Sequence, residues 1–234
     1  MFKFKNVLVV ASHPDDEVLG CGGTIYNLKK KGAKISALFL SDGESSRKHS
    51  KINKLILERK NQAIKAGKIL GIKNISFGNF PDNSMDTVPI LKIIQFIEKK
   101  IKKTRPDVIF THFENDLNVD HQITSKAVVT ACRPVKNQTV KSIFFFEILS
   151  SSEWNISTKN KIFKPNFYVD ITKSLKFKLR ALKYYKREMR KWPHPRSIEG
   201  VKLLSKTRGS TVGLANAEAF ILGRHVEKWE LLLE

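Results

Sequence analysis

An imidazole and three carboxylates fall within five consecutive positions in the segment Ala11-Ser12-His13-Pro14-Asp15-Asp16-Glu17. Such a set can bind a metal ion if a rigid frame projects it, and the end of a buried strand supplies one. His13 offers a ring nitrogen and Asp16 a carboxylate oxygen, three positions apart across a tight turn that Pro14 helps to set. Zinc accepts this mixture of donors, and a catalytic zinc usually has three protein ligands and an open position for water. The third donor must come from elsewhere in the chain, and His121, in Asp120-His121, is the natural candidate. Asp15 is then a carboxylate beside the ion but not on it. Such a group can take a proton from the ion's water, whose pKa falls to about 7 on coordination. The plainer role for Asp15, Asp16 and Glu17 is to cap and charge the N-terminus of a following helix; capping and ligation are compatible.

The elements that must position these residues follow from periodicity. Asn6–Ala11 is a short β-branched run, as expected of a strand covered on both faces. A helical pattern over Val18–Lys31 closes at Gly32, and Lys34–Leu40 reads as a second strand. Asn53–Leu70 is a long amphipathic helix with Gly71 as its stop. Then come strand Asn74–Phe77, helix Val88–Lys103, strand Asp107–Thr111, helix His121–Cys132 and strand Val140–Phe146. Repeated strand–helix–strand units predict an α/β fold, a three-layer sandwich with a mostly parallel sheet. Ligands of such sheets sit outside the carboxyl ends of the strands. His13–Glu17, Asp42–Glu44, Phe80–Asp82 and His112–His121 each follow a predicted strand, so four loops converge on one rim.

Beyond residue 150 the pattern is less regular. Asn166–Val169 reads as a strand, Ser174–Lys191 as a basic helix and Ala217–Leu222 as a last strand. Pro193-His194-Pro195-Arg196 cannot be helical, because proline lacks the amide donor and restricts its predecessor. With no internal repeat or linker, residues 1–234 read as a single domain: a core over 1–150 and an elaboration over 151–234 that completes it.

The chain has 234 residues, 41% hydrophobic and 28% charged, which suits a folded enzyme-sized core and not a disordered chain. No apolar run has membrane-spanning length. The charged His13–Glu17 segment stands where a leader peptide would need small residues for cleavage. Two cysteines, Cys21 and Cys132, make no disulfide framework, so the expected location is the cytoplasm. The net charge of +21 favours anionic contacts. Its lysines, as in Lys29-Lys30-Lys31, Lys99-Lys100 and Lys102-Lys103, are spread in helical patterns without a nucleic-acid motif, so no specific nucleic-acid partner is expected.

His13-Pro14-Asp15-Asp16-Glu17, Gly20-Cys21-Gly22-Gly23, Ser41-Asp42-Gly43-Glu44, Phe80-Pro81-Asp82 and Asp120-His121 occur in this order, and together they resemble the LmbE-like, PIG-L family of zinc-dependent de-N-acetylases. The resemblance implies a Rossmann-like fold, one zinc and hydrolysis of an N-acetyl amino-sugar conjugate. By position, His13, Asp16 and His121 resemble the zinc ligands and Asp15 the general base; Arg59 matches a family arginine that helps hold substrate. Asp82 and Asp120 lie in motifs that would line the same rim. Family members commonly carry a histidine where this chain has Asn118. An asparagine amide can donate to an oxyanion but cannot protonate a leaving amine. Asp15 would then do both jobs, or His194 would enter from its proline-flanked loop, with Arg196 binding an anionic part of the substrate.

The expected partner is thus a small-molecule or glycan N-acetyl amino sugar, a phosphate-bearing one suiting the basic charge; a homo-oligomer is left open. The ligand set admits other divalent ions besides zinc. The alternatives are a zinc hydrolase of another amide or of a lipid-linked sugar, and an inactive anion- or nucleic-acid-binding member of the fold. Gly20-Cys21-Gly22-Gly23 lacks dinucleotide-loop spacing and suits close packing of helix on sheet. Cys21 reads as a small buried residue, His112 as a residue near the site, and Trp154, Trp192 and Trp229 as packing residues.

Overall fold

A computed structural model describes residues 4–47, 49–156 and 161–227; Trp229 lies outside the described residues. Strands β1 (Asn6–Ala11), β2 (Lys34–Ser41), β3 (Ile72–Phe80), β4 (Val108–His112) and β5 (Ser142–Phe146) run parallel. β7 (Ala217–His225) lies antiparallel to β5 on one side and to β6 (Phe167–Asp170) on the other. The sheet order is β3-β2-β1-β4-β5-β7-β6. The expected mostly parallel α/β sheet is therefore present, closed by antiparallel C-terminal strands.

Period-two alternation distributes the strands' side chains between two cores. Val7, Val9 and Ala11 of β1 join Ile35, Ala37 and Phe39 of β2 in one layer. That layer packs against α1 (Asp16–Lys30), α2 (Ile52–Leu70), α5 (Leu175–Leu182) and α6 (Ile198–Ser210). Leu8, Val10, Leu38 and Leu40 face the other way, onto α3 (Ile90–Thr104) and α4 (Val119–Ala131). Both faces of β1 are buried, which is why its sequence is a continuous apolar run.

Three elements depart from expectation. β3 is longer than Asn74–Phe77, running from Ile72 to Phe80 with register shifts against β2. The helix expected over Ser174–Lys191 ends at Leu182, because tertiary contacts override a weak local preference: the Tyr185 hydroxyl donates to Glu17 Oε1 at 2.7 Å, and Glu188 pairs with arginines from other elements. α6 has no counterpart among the expected elements; its local signal is Ser197, whose hydroxyl accepts from Gly200 N at 2.9 Å as an N-cap.

α1 is kinked at Cys21 (φ −145°, ψ 21°). The kink frees the amides of Gly23 and Thr24, which donate to the Glu218 carboxylate at 2.9 and 2.7 Å. It also frees the Leu19 carbonyl, which accepts from Lys178 Nζ at 2.7 Å, and Lys178 and Glu218 pair at 2.7 Å. A buried ion pair from α5 and β7 thus repairs a break in α1. The glycines around it serve close packing: a Cβ at Gly20 would fall 2.4 Å from the Phe146 ring, and one at Gly23 2.7 Å from Ile171.

Candidate metal centre and active site

The order in which strands are added to the sheet reverses between the parallel neighbours β1 and β4, and a crevice opens at the carboxyl ends of such a pair. His13–Glu17 leave β1 there, and β4 delivers His112 and the loop to Asp120 and His121. β2 and β3 bring Glu44 and Asp82 to the same rim. Gly43, at φ +71°, turns the β2 loop so closely over His13 that a Cβ would lie 3.3 Å from that residue's Cβ.

His13, Asp16 and His121, the three expected ligands, meet here. Asp16 Oδ2 lies 3.5 Å from His13 Nδ1 and 3.4 Å from His121 Nε2. One donor atom from each residue can be chosen so that all three fall within 4.8 Å of one another. Asp16 Oδ1 is buried and has no hydrogen-bond partner among the described residues. The far nitrogen of each ring faces carboxylate. His13 Nε2 lies 3.0 Å from Asp120 Oδ2 and 3.2 Å from Asp82 Oδ1, and His121 Nδ1 lies 3.0 Å from Asp116 Oδ1. Asp116 is itself held by the hydroxyls of Ser151 and Ser152.

His13, Asp82 and Asp120 form a second group of donors on the other side of the His13 ring. Those carboxylates are already engaged. Asp82 Oδ2 accepts from Ser46 N and Oγ at 3.1 and 2.6 Å. Asp120 accepts from Asn83 N at 2.7 Å and Met85 N at 3.0 Å. His112 packs beneath the cluster, its ring stacked on His121 at 3.9 Å and its Nε2 accepting from Ser12 N at 2.9 Å.

Electrostatics follow from burying this many charges together. Desolvation disfavours a proton on His13, yet Asp120, Asp16 and Asp82 outweigh it and hold the ring well above its ordinary pKa. Burial likewise opposes charge on His121, but Asp16 and Asp116 raise it to about 9. Burial, then the charge on His121, pushes His112 well below its ordinary value, so that ring is neutral. Burial favours a neutral Asp116, while His121 draws it down to about 2. The surrounding carboxylates thus favour positive charge at these two rings, which protons or a divalent cation can supply.

Asp15 sits at φ +129°, outside the backbone regions that a side-chain-bearing residue favours. Its amide donates to Glu17 Oε2 at 2.9 Å, and its carbonyl accepts from Val18 N and Leu19 N. Burial and repulsion from Asp16 raise its carboxyl to about 7, against the pull of Arg196 and Arg59. Burial pushes Glu17 up to about 8.

Arg59 is 2% exposed, and its guanidinium is taken up by Glu44 (3.1 and 2.9 Å), Pro14 O (2.9 Å) and Glu188. Arg196 is more open, its side chain 18% exposed, 3.4 Å from Asp15 Oδ2 and 3.9 Å from Glu188 Oε2. Asn118 caps α4, accepting from Asp120 N at 2.9 Å, while its amide donates to Asn83 Oδ1 at 2.9 Å. His194 packs edge-on to Trp154 and accepts from Arg196 N at 3.0 Å.

Asp116, Tyr185 and Glu188 escaped the sequence reading. For Glu188 a signal existed: it is a lone acid in Lys186-Arg187-Glu188-Met189-Arg190-Lys191, where a solvated basic helix would have no use for it. Tyr185 carried none.

Fold and cluster define a class first: an α/β protein whose strand ends gather histidines and carboxylates able to hold a divalent ion. Residues 8–132 match the family model described as PIG-L, GlcNAc-PI de-N-acetylase, and the chain belongs to that family of hydrolases. It is 28% identical over 191 residues to a diacetylchitobiose deacetylase of Thermococcus kodakarensis, covering 76% of this chain and 68% of the relative. A solved N,N'-diacetylchitobiose deacetylase from Pyrococcus horikoshii superimposes with a TM-score of 0.78 at 21% identity, covering 94% of this chain and 84% of that one. A 4-carboxy-2-hydroxymuconate hydratase from Pseudomonas putida superimposes with a TM-score of 0.77 at 20% identity, over 97% and 99% of the two chains. One fold thus carries different reactions, and the choice among them belongs to the site.

Proposed function

We propose that this protein hydrolyses the acetamide of an N-acetylated amino-sugar conjugate, with His13, Asp16 and His121 holding a divalent ion, zinc in the first instance, and Asp15 as general base. One observation carries the reading: a buried carboxylate, Asp16, turns Oδ2 to the inner nitrogens of two imidazoles from distant loops, while its other oxygen, Oδ1, is buried without a hydrogen-bond partner among the described residues. An orphaned buried oxygen is costly unless something positive completes it. Asp82 and Asp120, whose oxygens are taken by amides and a hydroxyl, suit the role of orienting His13 from behind, as Asp116 does for His121.

An ion bound there would polarise the amide carbonyl and acidify the attacking water. Asp15, its carboxyl poised near neutrality, takes the water's proton and is placed to return it to the departing amine. Glu17 holds the strained Asp15 backbone through the amide bond, and Tyr185 holds Glu17. Arg196 stands beside Asp15 with part of its guanidinium open, where it would receive an anionic portion of the conjugate such as a carboxylate or phosphate. Arg59 supports the loop from below through Pro14 O and Glu44. The named activity of the two chitobiose deacetylases supports an N-acetylglucosamine-type sugar. No helix among the described residues is long and apolar enough to cross a membrane, and Cys21 and Cys132 are free and buried, which suits action in a reducing cytoplasm.

The test is release of acetate from N,N'-diacetylchitobiose and from N-acetylglucosaminyl conjugates by zinc-loaded protein. Activity abolished by chelator and restored by zinc supports the reading; acetate release that ignores metal content would refute it.

A further inference from the structure

A second concave region lies on the opposite rim, at the amino ends of β1, β2 and β3. On the α3 side of the sheet, alternation continues Leu38 and Leu40 of β2 back to Ser36 and Lys34, and Leu8 of β1 back to Asn6. Across from them β3 presents Asn74 and Ser76. A sheet face meant for helix packing would be apolar at these positions; this corner carries hydroxyls and amides. The last turn of α3 forms the wall, and the cavity measures about 560 Å³, within the range of small-ligand sites.

Five cations line the cavity, and no acid among the described residues does. Lys100 is anchored into it, Nζ donating to Ser76 Oγ at 2.7 Å. Two carboxylates lie close along the chain: Asp107 accepts from the backbone amides of Lys5 and Asn6 at 2.6 and 3.2 Å, and Glu98 pairs with Arg133 at 3.5 Å. Lys103 in the last turn of α3 has an ordinary explanation, since cations suit the negative end of a helix. That explanation does not reach Lys34 and Lys73, which come from two strands and converge on the same space. Mutual repulsion is felt there: burial, then Lys103, holds Lys100 below its ordinary pKa. Cations gathered around a polar floor without a counter-charge cost free energy that an anion would recover.

We infer that Lys34, Lys73, Lys100, Lys103 and Arg105 frame a binding site for a compact polyphosphate-type anion, distinct from the His13 cluster. Asn6 borders this site and His13 the other, so β1 separates them by on the order of 20 Å. The concavity selects a small ligand with adjacent phosphates over a duplex or a flat membrane surface. The hydroxyl and amide floor supplies the directional hydrogen bonds that a merely solvated basic face would not hold in place. The inference stands whether or not the deacetylase reading does.

Calorimetric titration of the zinc-loaded full chain with inorganic pyrophosphate tests it, beside two equally charged variants. Lys73→Glu/Lys103→Glu alters the groove; Lys202→Glu/Lys206→Glu alters exposed positions of α6. A saturable binding component of one site per chain is expected to depend on the groove, weakened about tenfold or more by the groove variant and little by the α6 variant. Extraction of zinc by pyrophosphate, and binding at the Arg196 side, would be common to all three proteins and cancel in the comparison. Equal weakening in both variants would reduce the effect to overall charge and overturn the site. So would binding of single-stranded DNA or anionic phospholipid vesicles without binding of pyrophosphate. Circular dichroism and an unchanged thermal midpoint establish that the groove variant folds.

Discussion

Arg196 Nη1 lies 3.4 Å from Asp15 Oδ2, so a residue of the proline-flanked loop before α6 touches the carboxylate that follows β1. Two opposing forces meet at this contact. Burial and the neighbouring Asp16 push the Asp15 carboxyl up, and the guanidinium pulls it down, leaving it near 7. The C-terminal third of the chain therefore helps to set the basicity of a group supplied by the first loop.

Asp15 must be ionised to accept a proton, so kcat/KM should rise with pH through its pKa. A bound divalent cation adds to the pull of Arg196, placing the acid limb of the metal-loaded protein below about 7. Arg196→Met removes one downward pull, and the limb should move to higher pH. The expected loss in kcat/KM is about three- to tenfold at pH 6 and less at pH 8. A limb that stays in place or moves lower would show that Arg196 does not act on Asp15.

Metal content and rate should separate cleanly between neighbouring residues. His13→Ala and His121→Ala each remove a proposed ligand and should leave far less than one zinc per chain by atomic absorption. Asp15→Asn should keep zinc and lose about 10²- to 10⁴-fold in kcat, the usual range for a general base. Because His13 and His121 hold protons in the metal-free protein, zinc binding should release protons and tighten as pH rises. Proton release can be read from the buffer dependence of the binding enthalpy; none would count against these ligands.

Glu188→Gln should destabilise the protein from outside any motif. Glu188 pairs with Arg59, buried to 2% exposure, and with Arg47. Removing one carboxylate leaves Arg59 with Glu44, Pro14 O and, at 3.9 Å, Asp15, which limits the damage to about 2–4 kcal/mol, at or below the low end of the usual cost of a broken buried pair. The loss should shrink at low pH. The arginines hold Glu188 below its ordinary pKa, burial notwithstanding, so its contribution is full above the unfolded carboxyl value and fades as pH falls through the folded one. Urea unfolding at pH 7 and at pH 3.5 measures both effects.

How far the sequence foretold this architecture depended on how local the determinants are. β1 and β2 were legible because strands buried on both faces are apolar through most of their length. The meeting of His13, Asp16 and His121 was legible because the rule on strand ends converts positions in a pattern into a place in space. Glu188 and Tyr185 were hard to read because their roles depend on which distant residues they face, and period alone favoured a helix through them. Asn118 is a candidate oxyanion donor by position alone; the fold adds what the sequence did not show, that its side-chain carbonyl caps α4 and its amide meets Asn83. The kink at Cys21 had a faint trace in three glycines within four residues, but the acid that repairs it lies in β7.

That repair yields a last prediction, on stability alone. Glu218 accepts two backbone amides freed by the kink and pairs with Lys178, while Lys178 also caps the Leu19 carbonyl. Lys178→Met leaves a buried carboxylate with amides but no cation, and Glu218→Gln presents an amide group to donors that need an acceptor. Each single change should cost about 3–5 kcal/mol, because each strands a buried charge. Combining them removes both charges together, so the double variant should be less destabilised than the sum of the singles by about 1–3 kcal/mol. Simple additivity in chemical unfolding would mean that the pair acts only through its separate bonds to the helix backbone.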